Sequence, residues 1–381
     1  MKKAYWTLWG AIVVFAAGCA TTKTAVTDHA GKPDTKPVKT GVYVSKGLSG
    51  GGAIEWIRLV HDSPELELTL LDSEAIRAGA LDKLDMLVMP GGSSPSIKRD
   101  LGTNGAARIK AFLRNGGGYI GTCAGCCLMM EEAPDPSRGL NVMPFYRSGS
   151  KGRFLMPVGV NAKGAEALGV KKGTYWLQYS HGPILEPSTN SIPDANFEVW
   201  GTNLSDSGKF GSKLEMYGRA ALVGGTYGKG RVVVTSCHPE YLEATRVLLQ
   251  GAFRHITGRD VTFPVRPRRA KAYNVALLAE AFIGIDVGKV VTALSDDESI
   301  DFSAINEEDI RRGLLDHVDA LILPDSRYDA IQGSTREIVK RFAARGGYIL
   351  GWGRGPARMR ELCEVCPSSQ EAVERLKKRA R

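Results

Sequence analysis

Beyond residue 19 the chain has no apolar run long enough to cross a bilayer. The best stretch, 274–294, is interrupted by Glu280, Asp286 and Lys289. Neither charge dominates: 50 Lys and Arg stand against 41 Asp and Glu, a net +9 spread along 381 residues. That rules against an extended nucleic-acid face. The densest basic cluster, "RLKKRAR" at 375–381, reads as a solvated helix end. The Gly-rich stretch "SKGLSGGGAIEW" (45–56) lacks the Gly-Lys-Ser/Thr ending of a phosphate-binding loop, so it is taken as a turn bordering a cleft. Cysteine is sparse, with 7 in the chain. The spacings 123/126 and 363/366 give two Cys-x-x-Cys pairs, but they lie far apart and one falls inside a Gly-rich turn. No metal site and no cofactor are expected from them. The 43% hydrophobic content is that of a globular protein long enough for two cores.

What the N-terminus does contain is a basic start, an apolar stretch and small residues before Cys19: "MKKAYWTLWGAIVVFAAGC". Ala16-Ala17-Gly18-Cys19 resembles the bacterial lipobox, with Ala in place of the usual Leu. The resemblance implies a signal peptide over 1–18, lipidation of Cys19 and a lipid-anchored, extracytoplasmic protein of the bacterial envelope. Residues 19–39 are polar, rich in Thr and Lys, and read as a flexible tether. An oxidising compartment permits disulfides, so Cys363 and Cys366, in a helix-like stretch, either pair or remain two thiols.

The rest of the chain repeats itself. "DSEAIRAGALDKLDMLVMPGG" (72–92) aligns without a gap with "NEEDIRRGLLDHVDALILPDS" (306–326). Ile76, Arg77, Gly79, Asp85 and Pro90 fall opposite Ile310, Arg311, Gly313, Asp319 and Pro324. "IKAFLRNGGGYIG" (109–121) then matches "VKRFAARGGYILG" (339–351). In both copies short β-branched runs alternate with helical patterns. This predicts an α/β fold: two tandem flavodoxin-like, doubly wound parallel-sheet domains, at 40–262 and 270–381. Function in such sheets sits at the carboxyl ends of the strands. The second copy is degenerate: Cys123 faces Trp352, or Gly353 if one gap is allowed, and Gly91-Gly92 becomes Asp325-Ser326.

Cys123 lies in "GGGYIGTCAGCCLMM" (116–130), after a strand and before an apolar segment. By itself it reads as a nucleophile on a tight turn, half of a disulfide, a metal ligand or a small core residue. A strand-turn-helix elbow would push the thiol out of the sheet and favour the thiolate through the helix N-terminus. A base and an orienter stand downstream in "YGKGRVVVTSCHPEYLEATRVLL" (227–249). His238 falls at a strand end, and Glu240 two positions on can fix its tautomer. Cys126, one helical turn from Cys123, is read as a buried residue before a resolving thiol.

Gly-x-Cys-x-Gly after one strand, Pro90-Gly91-Gly92 after another, and Tyr-Gly-x-Gly-Arg-Val followed by His-Pro-Glu together resemble the class I glutamine amidotransferase-like superfamily. "GGGYIGTCAG" and "GKGRVVVTSCHPE" are similar to the branch at the N-terminus of some biotin–protein ligases (BPL_N). The resemblance spans about 40–258. It implies Cys123 as nucleophile, His238 as base, Glu240 as orienter, and the N–H groups of Gly92 and Ala124 as an oxyanion hole. Apart from the resemblance, the aromatic-rich segment "YWLQYSHGPIL" (175–185) offers His181 either as pocket lining or as a loop histidine in a polar network, and Gly91, Ser93, Tyr179 and His181 are the candidate substrate contacts. Glutamine-hydrolysing members usually carry Gln where this chain has Cys127, and neither a synthetase nor a ligase domain is recognisable. The expectation is therefore a cysteine hydrolase that cleaves a small-molecule or peptide amide through a thioester. The competing readings are a non-catalytic binding or scaffold protein using the same cleft, and a thiol redox role for Cys123 and Cys126.

Overall fold

The computed structural model describes residues 36–132, 135–149, 152–206, 215–265, 272–279, 284–325, 331–357 and 359–381. The segment expected to be a signal peptide, most of the expected tether and Cys19 lie outside them. Residues 37–381 form one compact unit.

The first half starts as the alternating pattern predicts. Strands β1 (Val38–Tyr43), β2 (Leu66–Leu71), β3 (Met86–Met89) and β4 (Gly118–Thr122) alternate with helices α1 (Gly50–Asp62), α2 (Ser73–Arg77), α3 (Ser94–Arg114) and α4 (Ala124–Met129). β5 (Phe145–Gly149), β6 (Arg153–Val160), α5 (Ala162–Leu168), β7 (Gly173–Ser180), β8 (Ile184–Pro187) and β9 (Ala195–Asn203) follow. β10 (Ala220–Tyr227), β11 (Gly230–Thr235) and α6 (Arg246–Thr257) complete it.

The sheet order is β2-β1-β3-β4-β11-β10-β9-β6-β7, with β5 and β8 branching from β10. From β2 to β11 every pairing is parallel. From β11 outward every pairing is antiparallel, which the expectation of a purely parallel sheet did not include. The cause is local. Only Gly228 and Lys229 separate β10 from β11, and so short a link can join only antiparallel neighbours.

The second half runs β12 (Tyr273–Leu278), α7 (Ile285–Ser295), β13 (Ile300–Ile305), α8 (Glu307–Arg311) and β14 (Ala320–Leu323). It closes with α9 (Gly333–Ala344), β15 (Tyr348–Trp352), β16 (Glu364–Cys366) and α10 (Ser369–Ala380). Its sheet, β13-β12-β14-β15-β16, is parallel throughout and repeats the β2-β1-β3-β4 order. The repeat extends to single interactions. The Asp85 carboxylate accepts from Lys39 N at 2.8 Å, and Asp319 accepts from Asn274 N at 2.8 Å. Ile76 and Ile310 are both fully buried. Gly79 and Gly313 hold the same left-handed turn, φ 94° and 91°, a conformation that costs other residues.

Helix α1 is apolar on more than one face because it has two neighbours. It covers the first sheet and also meets α7 and β13 of the second. A side chain on Gly288 of α7 would collide with Leu70, and Arg58 stacks on Phe302 at 4.9 Å. Most of the core is consequently one cluster that contains Ile57 and Trp56 together with Val287, Val291 and Phe302.

Cys366 lies on β16 and Cys363 in the turn before it, so the helix expected there is absent. Both thiols are free and buried. The basic tail is the end of α10, where Lys377 pairs with Asp297 and Arg379 stacks on Tyr348.

Candidate active site

Three strand ends build the site. β4 delivers Cys123, and the parallel β11 carries the chain to His238 at the same edge. β3 delivers Gly91 and Gly92 beside them. The Cys123 backbone takes φ 52°, ψ −103°, the strained turn expected of an elbow. Its N–H donates to Thr235 O at 2.9 Å, which locks the elbow to β11. The thiol lies 3.6 Å from Ser180 O, and both the Cys123 and His238 side chains crowd against Gly91.

His238 is 2% exposed and Glu240 is fully buried. His238 Nδ1 and Glu240 Oε1 are 2.7 Å apart. The backbone N–H of His238 donates to Gln178 O at 2.8 Å, and its ring packs on Tyr241 at 5.1 Å between centroids. Burial by itself pulls the imidazole pKa down, but the Glu240 charge and the hydrogen bonds to Cys123 and Glu240 outweigh it. The balance raises the pKa from 6.5 to about 10. Glu240 Oε2 is buried without a partner, so the carboxylate has its main charge compensation in this imidazole.

Gly91 is where the groups converge. A Cβ there would lie 2.6 Å from His238 Cε1 and 3.2 Å from Cys123 Cβ. The next residue, Gly92, stands opposite Leu48 in a short antiparallel contact. The flanking bonds, Ser49 N to Gly91 O and Ser93 N to Gly47 O, leave the Gly92 N–H outside that ladder. Ala124 opens α4, where no preceding turn supplies a helical acceptor for its N–H. The Ser93 hydroxyl bonds to Ser96 at the start of α3. Tyr179 is fully buried and spends its hydroxyl on Gly182 O, so it supports the 181–183 loop from beneath and does not face an open cleft. His181 is exposed at the tip of that loop with φ 53°.

The second copy shows what the elbow becomes without a thiol. Strand register pairs Gly121 with Met89 and Gly351 with Leu323, so Gly353, not Trp352, is the counterpart of Cys123. Gly353 keeps the positive φ, 62°. Asp325, the counterpart of Gly91, accepts from Arg354 N at 2.9 Å. A carboxylate oxygen there occupies the amide equivalent to that of Ala124.

A family profile described as "Biotin-protein ligase, N terminal" matches residues 65–131. Those residues include Gly91, Gly92, Cys123 and Ala124 and end before His238. A curated relative, "Pyridoxal 5'-phosphate synthase subunit PdxT" of Ignicoccus hospitalis, is 26% identical over 225 residues, 55% of this chain and 95% of its own. The protein of that name from Methanoculleus marisnigri is 39% identical over 71 residues, 18% of this chain and 36% of its own. These matches support an amidotransferase-like superfamily. Among solved structures, a "Putative thua-like protein" from Bacteroides uniformis aligns over 61% of this chain and 97% of its own, with 14% identity and a TM-score of 0.45. A beta-galactosidase from Bacillus circulans sp. alkalophilus aligns over 58% and 32%, with 14% identity and a TM-score of 0.38.

Several residues of this site escaped the sequence reading. Trp56 Nε1 donates to Thr122 Oγ1 at 3.3 Å, and the Thr122 hydroxyl donates to Glu240 Oε1 at 3.2 Å. This chain gives the carboxylate oxygen that meets the imidazole a second hydrogen bond. The Gly50-Gly51-Gly52 run has three separate reasons. Side chains there would meet Ala279 of the second sheet, the Tyr241 hydroxyl, and Glu240 with His238, respectively. Three consecutive glycines opening an apolar helix were the available signal of close approach. Cys126 and Cys237 are fully buried, and burial pushes both thiols up, Cys237 to about 12. Among the described residues no group of three His, Cys, Asp or Glu could hold a metal ion.

Proposed function

We propose that the protein is a cysteine hydrolase that cleaves an amide or peptide bond through a thioester on Cys123. One observation carries this reading: an elbow thiol beside an imidazole that a buried carboxylate holds at 2.7 Å. The Cys123 sulfur attacks the carbonyl carbon, and the oxygen gathers charge beside the N–H groups of Gly92 and Ala124. The carboxylate on the equivalent amide of the second copy supports that placement. His238 gives its proton to the departing nitrogen as the C–N bond breaks, leaving the acyl group on sulfur. A water molecule then loses a proton to His238, attacks the thioester and frees the acid. Glu240 fixes the tautomer and balances the imidazolium.

The acyl donor is a small molecule or peptide, and a lipid on Cys19 would place the reaction at the bacterial cell envelope, outside the cytoplasm. The redox alternative has little support, because Cys126 is sealed in the core, where burial pushes its thiol pKa well up and disfavours the thiolate.

The test uses the full chain and p-nitrophenyl acetate. Acetylation should release a burst of nitrophenolate and add one acetyl mass to the Cys123 peptide. Cys123→Ser and His238→Ala should abolish the burst. Binding without any acetylation at neutral pH would favour a ligand-binding or scaffold protein.

A further inference from the structure

The β6–β7 hairpin reaches the candidate site at its open end. Arg153, the first residue of β6, pairs directly with Ser180, the last of β7, and the Ser180 carbonyl touches the Cys123 thiol at 3.6 Å. Arg153 is exposed and has no ion-pair partner among the described residues. Its charge acts on Tyr241, whose ring lies 5.1 Å from that of His238.

Directly paired residues on an antiparallel hairpin share one face, as do residues two apart. Arg153, Leu155 and Pro157 therefore form one row, and Ser180, Gln178 and Trp176 the row beside it. The opposite face carries Met156, Val158, Leu177 and Tyr179 and is buried. The outward face is instead apolar and wet: Leu155 is 52% exposed and Trp176 56%. Leu204, 40% exposed, extends the patch across Gly159. Large side chains grouped in this way on solvent cost solubility unless they have something to bind. The row spacing puts the patch roughly 7–13 Å along the strands from Ser180.

We propose that this outward face is the substrate platform of the Cys123 site and takes an amphiphilic amide. An anionic group beside the scissile bond meets Arg153, and an apolar chain lies over Leu155, Pro157, Trp176 and Leu204. The inference rests on Cys123 being the nucleophile. Charge and polarity argue together for the occupant: a cation without an ion-pair partner among the described residues stands opposite Ser180, whose carbonyl meets the thiol, and the apolar surface begins at the next pair on that face.

Alkylation of Cys123 measures the platform directly. The sulfur attacks the methylene carbon of a haloacetyl probe, the C–I bond breaks and iodide leaves. Three probes are compared on the full chain, with the product read on the Cys123 peptide: iodoacetamide, iodoacetate and N-octyl iodoacetamide. Arg153→Gln should lower the iodoacetate-to-iodoacetamide rate ratio about tenfold. Trp176→Ala should lower the N-octyl-to-plain iodoacetamide ratio about fivefold. Both positions are exposed, so both variants should fold. Either ratio left unmoved by its variant overturns the proposal. Slow iodoacetamide labelling that does not depend on His238 would instead overturn the nucleophile itself, so the two failures are distinguishable.

Discussion

Gly91→Ala adds one methyl group at the point where His238 and Cys123 meet. The new carbon would lie 2.6 Å from His238 Cε1, whereas carbon atoms ordinarily touch at about 3.5 Å, so the ring must retreat by roughly 0.9 Å. It has little room. Its backbone is tied to Gln178, its Nδ1 to Glu240, and Tyr241 packs on its face. The retreat must therefore break either the thiol contact or the carboxylate contact. A misplacement near 1 Å in such a pair costs about 10²-fold in rate. The predicted result is a loss of that size in the p-nitrophenyl acetate burst rate. The stability cost should stay within the ~1–3 kcal/mol typical of overpacking and appear as a lowered Tm. The double variant with His238→Ala separates mechanism from damage. If the methyl acts through the imidazole, it has no further effect once the ring is gone. A folded Gly91→Ala protein that acetylates at the parent rate would refute the geometry.

Thr122→Val leaves the Trp56 indole and the Glu240 carboxylate short of a partner. It should slow acetylation roughly tenfold and cost ~1–3 kcal/mol in chemical denaturation, with Thr122→Ser restoring both. Stability should depend on pH through His238. The folded protein holds that proton up to about 10 and the unfolded chain only to 6.5, so unfolding releases a proton between those values. The contribution is complete below pH 6.5 and is lost as the pH rises toward 10. Denaturation of the parent should show that decline, and His238→Asn should flatten it. Gly79→Ala and Gly313→Ala should each destabilise by ~1–2 kcal/mol, since both force a left-handed turn on a side chain. Clearly unequal losses would show that the two turns are not energetic counterparts.

Much of the site was legible because its chemistry is concentrated in short segments. Cys123 follows a strand and precedes a helix, and His238 and Glu240 sit two residues apart after another strand. Thr122 was not legible, because a threonine before a turn is ordinary until Glu240 arrives from 118 residues away. Tyr179 was misplaced for the opposite reason. An aromatic run reads as pocket lining, but strand alternation turned Tyr179 into the core and left Trp176 on the surface. Arg153 carried no local signal at all, since its importance comes from pairing with Ser180.

Local and near-neighbour rules act within a few residues, so the chain alone determined the alternating strands and helices, the internal repeat and the glycine turns. Those rules say nothing about which distant side chains meet. The burial of α1 between two sheets and the Trp56–Thr122–Glu240–His238 chain beside Cys123 were decided by packing. Each depends on contacts between segments far apart in sequence, and these exist only once the apolar faces have been buried together.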